Sequence, residues 1–209
     1  MPLPYCYEYP RPAVTVDLAA FARGPDGIRV LLIRRKHDPF AGQWALPGGF
    51  VEIDERIEDA ARRELKEETG VEIATAVHFL GFFDEPDRDP RGRTISMAYL
   101  AILPGRPPYA AGGDDAAEAA WLDPFEVSDL AFDHDEILTR ARNQLTMRIM
   151  FSAFELNLLP DEFGLDELRR LFAEVRLDVE TATLEVEKWA RRGKVEPVPD
   201  RPGWYRKKT

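Results

Sequence analysis

The rhythm of apolar and polar positions changes several times along the chain. Residues 12–23, PAVTVDLAAFAR, and 28–35, IRVLLIRR, are short apolar runs rich in Val, Ile, Leu and Ala. Each reads as a strand, and the Gly24-Pro25-Asp26-Gly27 turn between them predicts a hairpin. His37 to Trp44 reads as a loop, and residues 45–53 as a short strand interrupted by Pro47-Gly48-Gly49. The pattern then takes the 3.6-residue period of a helix from about Glu55 to Thr69, with Asp54 as the expected cap and Gly70 as the stop. Strands are expected at 75–83 and 94–103, flanking the polar loop DEPDRDPRGR, and another around Ala119 to Leu122. A helix opened by Asp133 or His134 runs to about Leu145. Residues 147–154 read as a strand, 165–175 and 180–192 as helices, and 194–198 and 203–207 as strands around the turn DRPG. That last order is the order of a winged helix-turn-helix. Two domains are therefore expected, 1–146 and 147–209.

The first helix departs from an ordinary amphipathic pattern. At about 100° per residue, Ile57, Ala60, Ala61 and Leu65 define the inward stripe, and Glu64 and Glu68 fall within about 20° of Ile57. Glu67 flanks them. Clustered carboxylates on an inward face are costly to desolvate and repel one another. Two arrangements satisfy them: a divalent cation of the Mg²⁺ or Mn²⁺ type, or a salt-bridge network with Arg63 and Arg35.

Residues 49–71, GFVEIDERIEDAARRELKEETGV, resemble a complete Nudix box, the signature of MutT-like pyrophosphohydrolases. Gly49, Glu55, Arg63, Glu64, Leu65, Glu67, Glu68, Gly70 and Val71 meet the pattern without a departure. The flanking LLIRRKHDPFAGQWALPGGFVE is also similar to that superfamily. The resemblance implies an α/β fold: an α/β/α sandwich around a mixed sheet. It implies that Glu64, Glu67 and Glu68, with the carbonyl of Gly48 or Gly49, would hold Mg²⁺ (or Mn²⁺) across a diphosphate. Water would attack phosphorus, with Glu64 or an acid of the 113–118 segment taking its proton. Arg63 would orient the glutamates, and Glu55 would support Arg63 or an outer metal. Asp114, Asp115 and Glu118 compete for the role of an additional acid. Arg34, Arg35 and Lys36 are candidate phosphate contacts. Phe40, Trp44 and Phe83 are candidates to stack on a base. Pro86 lies 15 residues after Val71, as a proline often does in the superfamily's ADP-ribose pyrophosphatases. The tail typical of NADH pyrophosphatases is absent. The three histidines lack metal-ligand spacing, and His134 reads as a helix cap.

Charge sharpens the division. The 209-residue chain has a net charge of -10 and a pI near 4.9. Residues 147–209 hold 12 basic and 12 acidic residues, so all the net charge lies in residues 1–146. An acidic chain is a poor general polyanion binder unless cations mediate the contact. The single cysteine, Cys6, excludes an intramolecular disulfide. The first ten residues lack a basic start and an apolar run, and the longest uncharged apolar stretch, 94–105, is too short to span a bilayer, so a cytoplasmic protein without a membrane partner is expected.

A Nudix domain followed by a winged helix also resembles the Nudix-related transcriptional regulators of NAD metabolism, through LAFDH, LLPDEFGLDELRRLFAEV and GWYRKK. Those regulators often carry damaged boxes, whereas this box is intact. The would-be recognition helix carries Asp178, Glu180, Glu185 and Glu187 before its first basic residue, Lys188, where a groove-reading helix usually offers basic or amide side chains. The favoured reading is thus a hydrolase of a nucleoside diphosphate derivative, foremost ADP-ribose, working as a homodimer. The alternative is an ADP-ribose-responsive regulator that binds DNA through residues 147–209.

Overall fold

The computed structural model describes residues 8–113, 115–151, 156 and 158–208; Cys6, Asp114 and residues 152–155 lie outside the described residues. Strands β1 (Ala13–Gly24) and β2 (Gly27–Arg35) form the expected hairpin. Pro47 cannot donate to a ladder, and the next strand is split there into β3 (Trp44–Ala45) and β4 (Gly48–Phe50). Helix α1 (Ile57–Thr69) follows, then β5 (Val77–Phe83), β6 (Thr94–Ile102), β7 (Ala116–Leu122) and helix α2 (His134–Phe151). The seven strands make one mixed sheet, ordered β3-β2-β1-β6-β5, with β4 on β1 and β7 on β2. β1 and β6 run parallel over nine residue pairs, and the other pairs are antiparallel.

Alternation along β1 and β2 divides the core between two faces. Val16, Leu18, Ala20, Leu31 and Ile33 pack on Ala60, Ala61 and Leu65 of α1. Ala19, Phe21, Val30 and Leu32 pack on Ile137, Ala141, Leu145 and Ile149 of α2. The result is the expected three-layer α/β/α arrangement.

Two expectations about the ends of helices need correction. Asp54 does not cap α1. The N-cap is Arg56, with no side-chain cap, because the neighbouring Glu55 carboxylate accepts from Glu52 N–H at 2.7 Å and from Arg63. Residues 147–151, read as the start of a strand, instead continue α2. Ile137, Ala141, Leu145 and Ile149 are all fully buried at four-residue spacing, a helical stripe that carries α2 past residue 146. Gly70 does end α1, at φ 71°, with its N–H on Lys66 O.

Beyond α2 come β8 (Glu162–Gly164), α3 (Leu165–Glu174), a 3₁₀ turn at Val179–Thr181, α4 (Ala182–Arg191), β9 (Val195–Pro197) and β10 (Trp204–Lys207). The small antiparallel sheet is ordered β8-β10-β9. Strand β8 is not expected from the sequence, since three residues are too few for alternation to register. This region shares a core with the second face of the main sheet, through Leu168, Leu171, Phe172, Val186 and Trp189. Arg23 of β1 pins α3 by pairing with Glu167 at 2.5 Å and Glu174 at 2.7 Å. No helix among the described residues is long and apolar enough to cross a membrane.

Candidate active site

Helix α1 and the turn between β3 and β4 meet in a cleft of about 410 Å³, lined by Gly48, Gly49, Arg63, Glu64, Glu67 and Glu68 among others. Arg63 is the hub. Its Nε and Nη2 donate to both oxygens of Glu55, at 3.1 and 2.7 Å, and Nη2 also donates to Phe50 O at 3.0 Å. Nη1 donates to Glu64 Oε1 at 2.8 Å and Glu67 Oε2 at 2.9 Å. The Arg63 hydrogen bonds hold the Glu55 carboxyl below its ordinary range. Half of the expected salt-bridge network is therefore present; Arg35 takes no part in it. Burial pushes Glu64 up, against the Arg63 bond and with help from the Glu67 and Glu55 charges.

Glu68 is the extreme case. It is 5 % exposed, and Gly48 N–H donates to its Oε2 at 2.9 Å. Burial pushes its pKa up to about 8; the Gly48 hydrogen bond opposes the rise, and the charges of Glu64, Asp17 and Asp115 add to it. Among the described residues no three His, Cys, Asp or Glu side chains converge as a ready ion cage.

Both glycines of the turn are required by close approach. A Cβ on Gly48 would lie 2.1 Å from Val16 O and 2.8 Å from Asp17 Oδ1, and one on Gly49 would lie 2.4 Å from Glu64 Oε1. Backbone cannot yield at Gly48 without loosening the Val16↔Gly49 and Asp17↔Gly48 register. Gly48→Ala is expected to cost about 1–3 kcal/mol, the usual range for overpacking, and to lower the melting temperature in calorimetry; an unchanged melting temperature would contradict this close fit.

Behind the turn lies a buried polar network that the pattern of the sequence did not reveal. Asp17 Oδ1 is 3.2 Å from His134 Nε2, while Oδ2 accepts from Ser96 Oγ and from Arg88 Nη2 at 3.4 Å. Arg88 also binds Asp133 through two bonds, at 2.8 and 2.6 Å. His134 Nδ1 accepts from Leu46 N–H at 2.9 Å, so its Nε2 carries the proton that is given to Asp17. Burial raises the Asp17 carboxyl, but His134, Arg88 and Ser96 together bring it below its ordinary value. His134 is thus a tie between α2, β1 and the glycine turn, and the capping role expected of it is overturned. One signal was visible: Asp17 is the lone acid inside an apolar strand.

The other expected residues divide. Arg35 and Asp115 line the cleft. Arg35 donates to the carbonyls of Pro39 at 2.8 Å and His37 at 3.4 Å. Arg34, its neighbour on the strand, leaves the cleft, donating to Gly42 O at 2.9 Å and facing Glu118 at 3.9 Å. Lys36 Nζ donates to Gly113 O at 2.7 Å. Phe40 and Trp44 pack on the two cores and Phe83 is buried in one of them, so none of these is a lining residue. Pro86 is exposed and outside the lining, although its loop contributes Arg88, Asp89 and Arg91. Of the three competing acids, Asp115 lies in the cleft, Glu118 does not, and Asp114 falls outside the described residues.

Comparison with known proteins adds three relatives to this geometry. A NUDIX domain model matches residues 12–141. The chain is 45 % identical over 135 residues to an ADP-ribose pyrophosphatase of Methanocaldococcus jannaschii, covering 62 % of this chain and 73 % of that one. It is 32 % identical over 169 residues to the ADPR responsive transcriptional repressor NtrR of Acinetobacter baylyi, covering 79 % and 67 %. Among solved structures, a MutT/nudix family protein of Enterococcus faecalis superposes with a TM-score of 0.82 at 33 % identity, covering 98 % of this chain and 89 % of that one.

Proposed function

The chain belongs to the Nudix family, and on that premise we propose that it is a divalent-cation-dependent hydrolase that cleaves the diphosphate of ADP-ribose. The observation that carries the reaction is the set of three glutamates on one turn and a half of α1, all lining one cleft, with Glu68 buried. Such a donor set, all oxygen and open on one side, fits Mg²⁺ or Mn²⁺, ions that keep several waters. Glu64, Glu67 and Glu68 would hold the ion with the Gly48 carbonyl. Bound there, Mg²⁺ supplies positive charge against the diphosphate and makes water a better nucleophile.

The chain's own residues do the rest. Arg63 positions Glu64 and Glu67, and Glu55 positions Arg63. Arg63 engages Glu64 Oε1, and Oε2 is the atom that takes the proton of the attacking water. Asp115 is a further acid in the cleft, outside α1, and Arg35 meets a phosphate. The main sheet with α1 and α2 carries the reaction, and α3 and α4 brace the back of the sheet. The substrate reading is supported by two relatives whose names both involve ADP-ribose.

The repressor relative supports a second reading, in which residues 147–209 act as a winged helix on DNA. The basic residues of that region weigh against it. Arg201 and Arg206 pair with Glu162, Lys207 with Asp161, Lys208 with Glu196, and Lys188 with Glu185. Each of these cations already has an acidic neighbour, and with 12 basic and 12 acidic residues the region offers no net positive charge to phosphates. A screen of ADP-ribose, sugar nucleotides, dinucleotide polyphosphates and NADH with Mg²⁺ tests the first reading; ADP-ribose is expected to be turned over with the highest kcat/KM. A DNA mobility shift at low salt that ADP-ribose reverses, with no turnover in the screen, would favour the second. A homodimer is the expected assembly, read by light scattering.

A further inference from the structure

Beyond the glutamates, the cleft holds two guanidinium groups, Arg35 and Arg91, and two aromatic rings, Phe50 and Phe132. Arg35 lies over Phe132, 4.8 Å from the ring centroid. Arg91 lies 5.6 Å from the same centroid and 5.2 Å from that of Phe50. Phe132 sits at φ 56°, in the left-handed region that bulky side chains rarely adopt. Its surroundings hold it there: Ala131 N–H donates to Trp44 O at 2.8 Å, Arg88 grips Asp133, and Phe40 packs edge-on at 4.8 Å. Strain kept in this way clusters at ligand clamps. Arg91 is also set in advance, by three bonds from its side chain to Asp89, at 3.0, 3.2 and 2.7 Å, with Asp89 itself buried. Phe50 is 47 % exposed at the lip of the cleft.

Resting on the ADP-ribose reading, we propose that Phe132, Phe50 and Arg91 form the slot for the planar base, with Arg35 meeting the phosphate next to it. Aromatic faces and guanidinium planes both stack on π systems, whereas a ribose offers only hydroxyls. Two guanidinium groups around one ring also repel each other, and burial together with the Arg91 charge lowers the Arg35 pKa. A phosphate placed between them relieves that repulsion. The nucleoside half of the substrate is thereby chosen by Phe50 of β4 and the 84–93 and 129–133 loops, while the glutamates of α1 carry out the cleavage.

Calorimetric titration of the full chain with AMP and with ribose 5-phosphate, in Mg²⁺, tests the slot. AMP is expected to bind the parent more tightly than ribose 5-phosphate does. Phe132→Leu should weaken AMP by about tenfold to a hundredfold, the usual worth of one stacked base. Phe132→Tyr keeps the ring and should retain AMP. Arg91→Lys keeps the charge, loses the plane and should weaken AMP. Ribose 5-phosphate should be insensitive to Phe132→Leu. Where Phe132→Leu does not fold, Phe50→Leu at the exposed lip carries the same expectation. The slot is overturned if the parent does not bind AMP, if the leucine variants bind it as the parent does, or if they weaken both ligands equally. Turnover of ADP-ribose by a parent whose leucine variants still bind AMP would sink the slot and leave the hydrolase standing. AMP binding that needs Phe132, in a parent without turnover, would do the reverse.

Discussion

Glu68→Gln is expected to lower the kcat of ADP-ribose hydrolysis by about 10²-fold or more, the scale on which losing one charged group that stabilises a transition state is felt, while the protein stays folded. The fold survives because the exchange replaces a buried carboxyl whose ionisation the metal-free protein resists. Glu68 sits at 5 % exposure near Glu64, Asp17 and Asp115, and a glutamine oxygen can still accept from Gly48 N–H. In EDTA the folded protein keeps the proton on Glu68 up to about pH 8, whereas the unfolded chain loses it near 4.5. Between those values the folded state binds more protons, so this group makes stability fall as pH rises, by at most about 1.4 kcal/mol per pH unit. Glutamine has no such slope. The melting temperature of Glu68→Gln minus that of the parent is therefore expected to grow from about pH 5 to about pH 8 in EDTA. It should shrink in saturating Mg²⁺, which binds and stabilises only the folded parent. A difference that stays flat with pH in EDTA would mean that the Glu68 carboxyl is not held at a cost.

The largest expected loss of stability lies at Arg88. Its side chain is 4 % exposed, between Asp17 at 8 % and Asp133 at 17 %. Arg88→Ala leaves two acids facing a buried site without their cation, and removing one partner of a buried pair typically costs about 3–5 kcal/mol. For a chain of this size that is a fall of roughly 10 °C in melting temperature. The loss should reach the active site, since Asp17 holds His134, and His134 holds the Leu46 N–H that begins the glycine turn. Calorimetry of Arg88→Ala at neutral pH checks this. A melting temperature within about 2 °C of the parent, less than about 1 kcal/mol for such a chain, would mean that water or a rearranged partner replaces the guanidinium.

How far these features could be read from the sequence depends on how local their causes are. The glutamates of α1 follow from the helical period and a contiguous motif, and the two-faced core of β1 and β2 follows from alternation. Both are near neighbours in the chain. Asp17, Arg88 and His134 meet only through the sheet, across 71 residues in the Asp17–Arg88 pair. A pattern of nearby residues carries nothing of that contact beyond one acid in an apolar strand. Arg34 and Arg35 could not be told apart by type. Alternation along β2, with a register shift between them, sends one into the cleft and the other toward Gly42 and Glu118. Residues 147–151 misled because a few apolar residues suit a strand or a buried helix equally well; the four-residue spacing back to Ile137 decides for the helix. Asp54 lost its capping role because Glu55, one residue on, is bound to Arg63 eight residues further along.

The central claim is that the glutamates of α1 and a divalent cation together cleave the diphosphate of ADP-ribose. Its most direct test is product analysis after incubating the full chain with ADP-ribose, in parallel with Mg²⁺, with EDTA, and with Glu68→Gln in Mg²⁺. AMP and ribose 5-phosphate in equal amounts, formed only by the parent with Mg²⁺, are the predicted result. No conversion by the parent in either Mg²⁺ or Mn²⁺, or equal conversion by the glutamine variant, would contradict it.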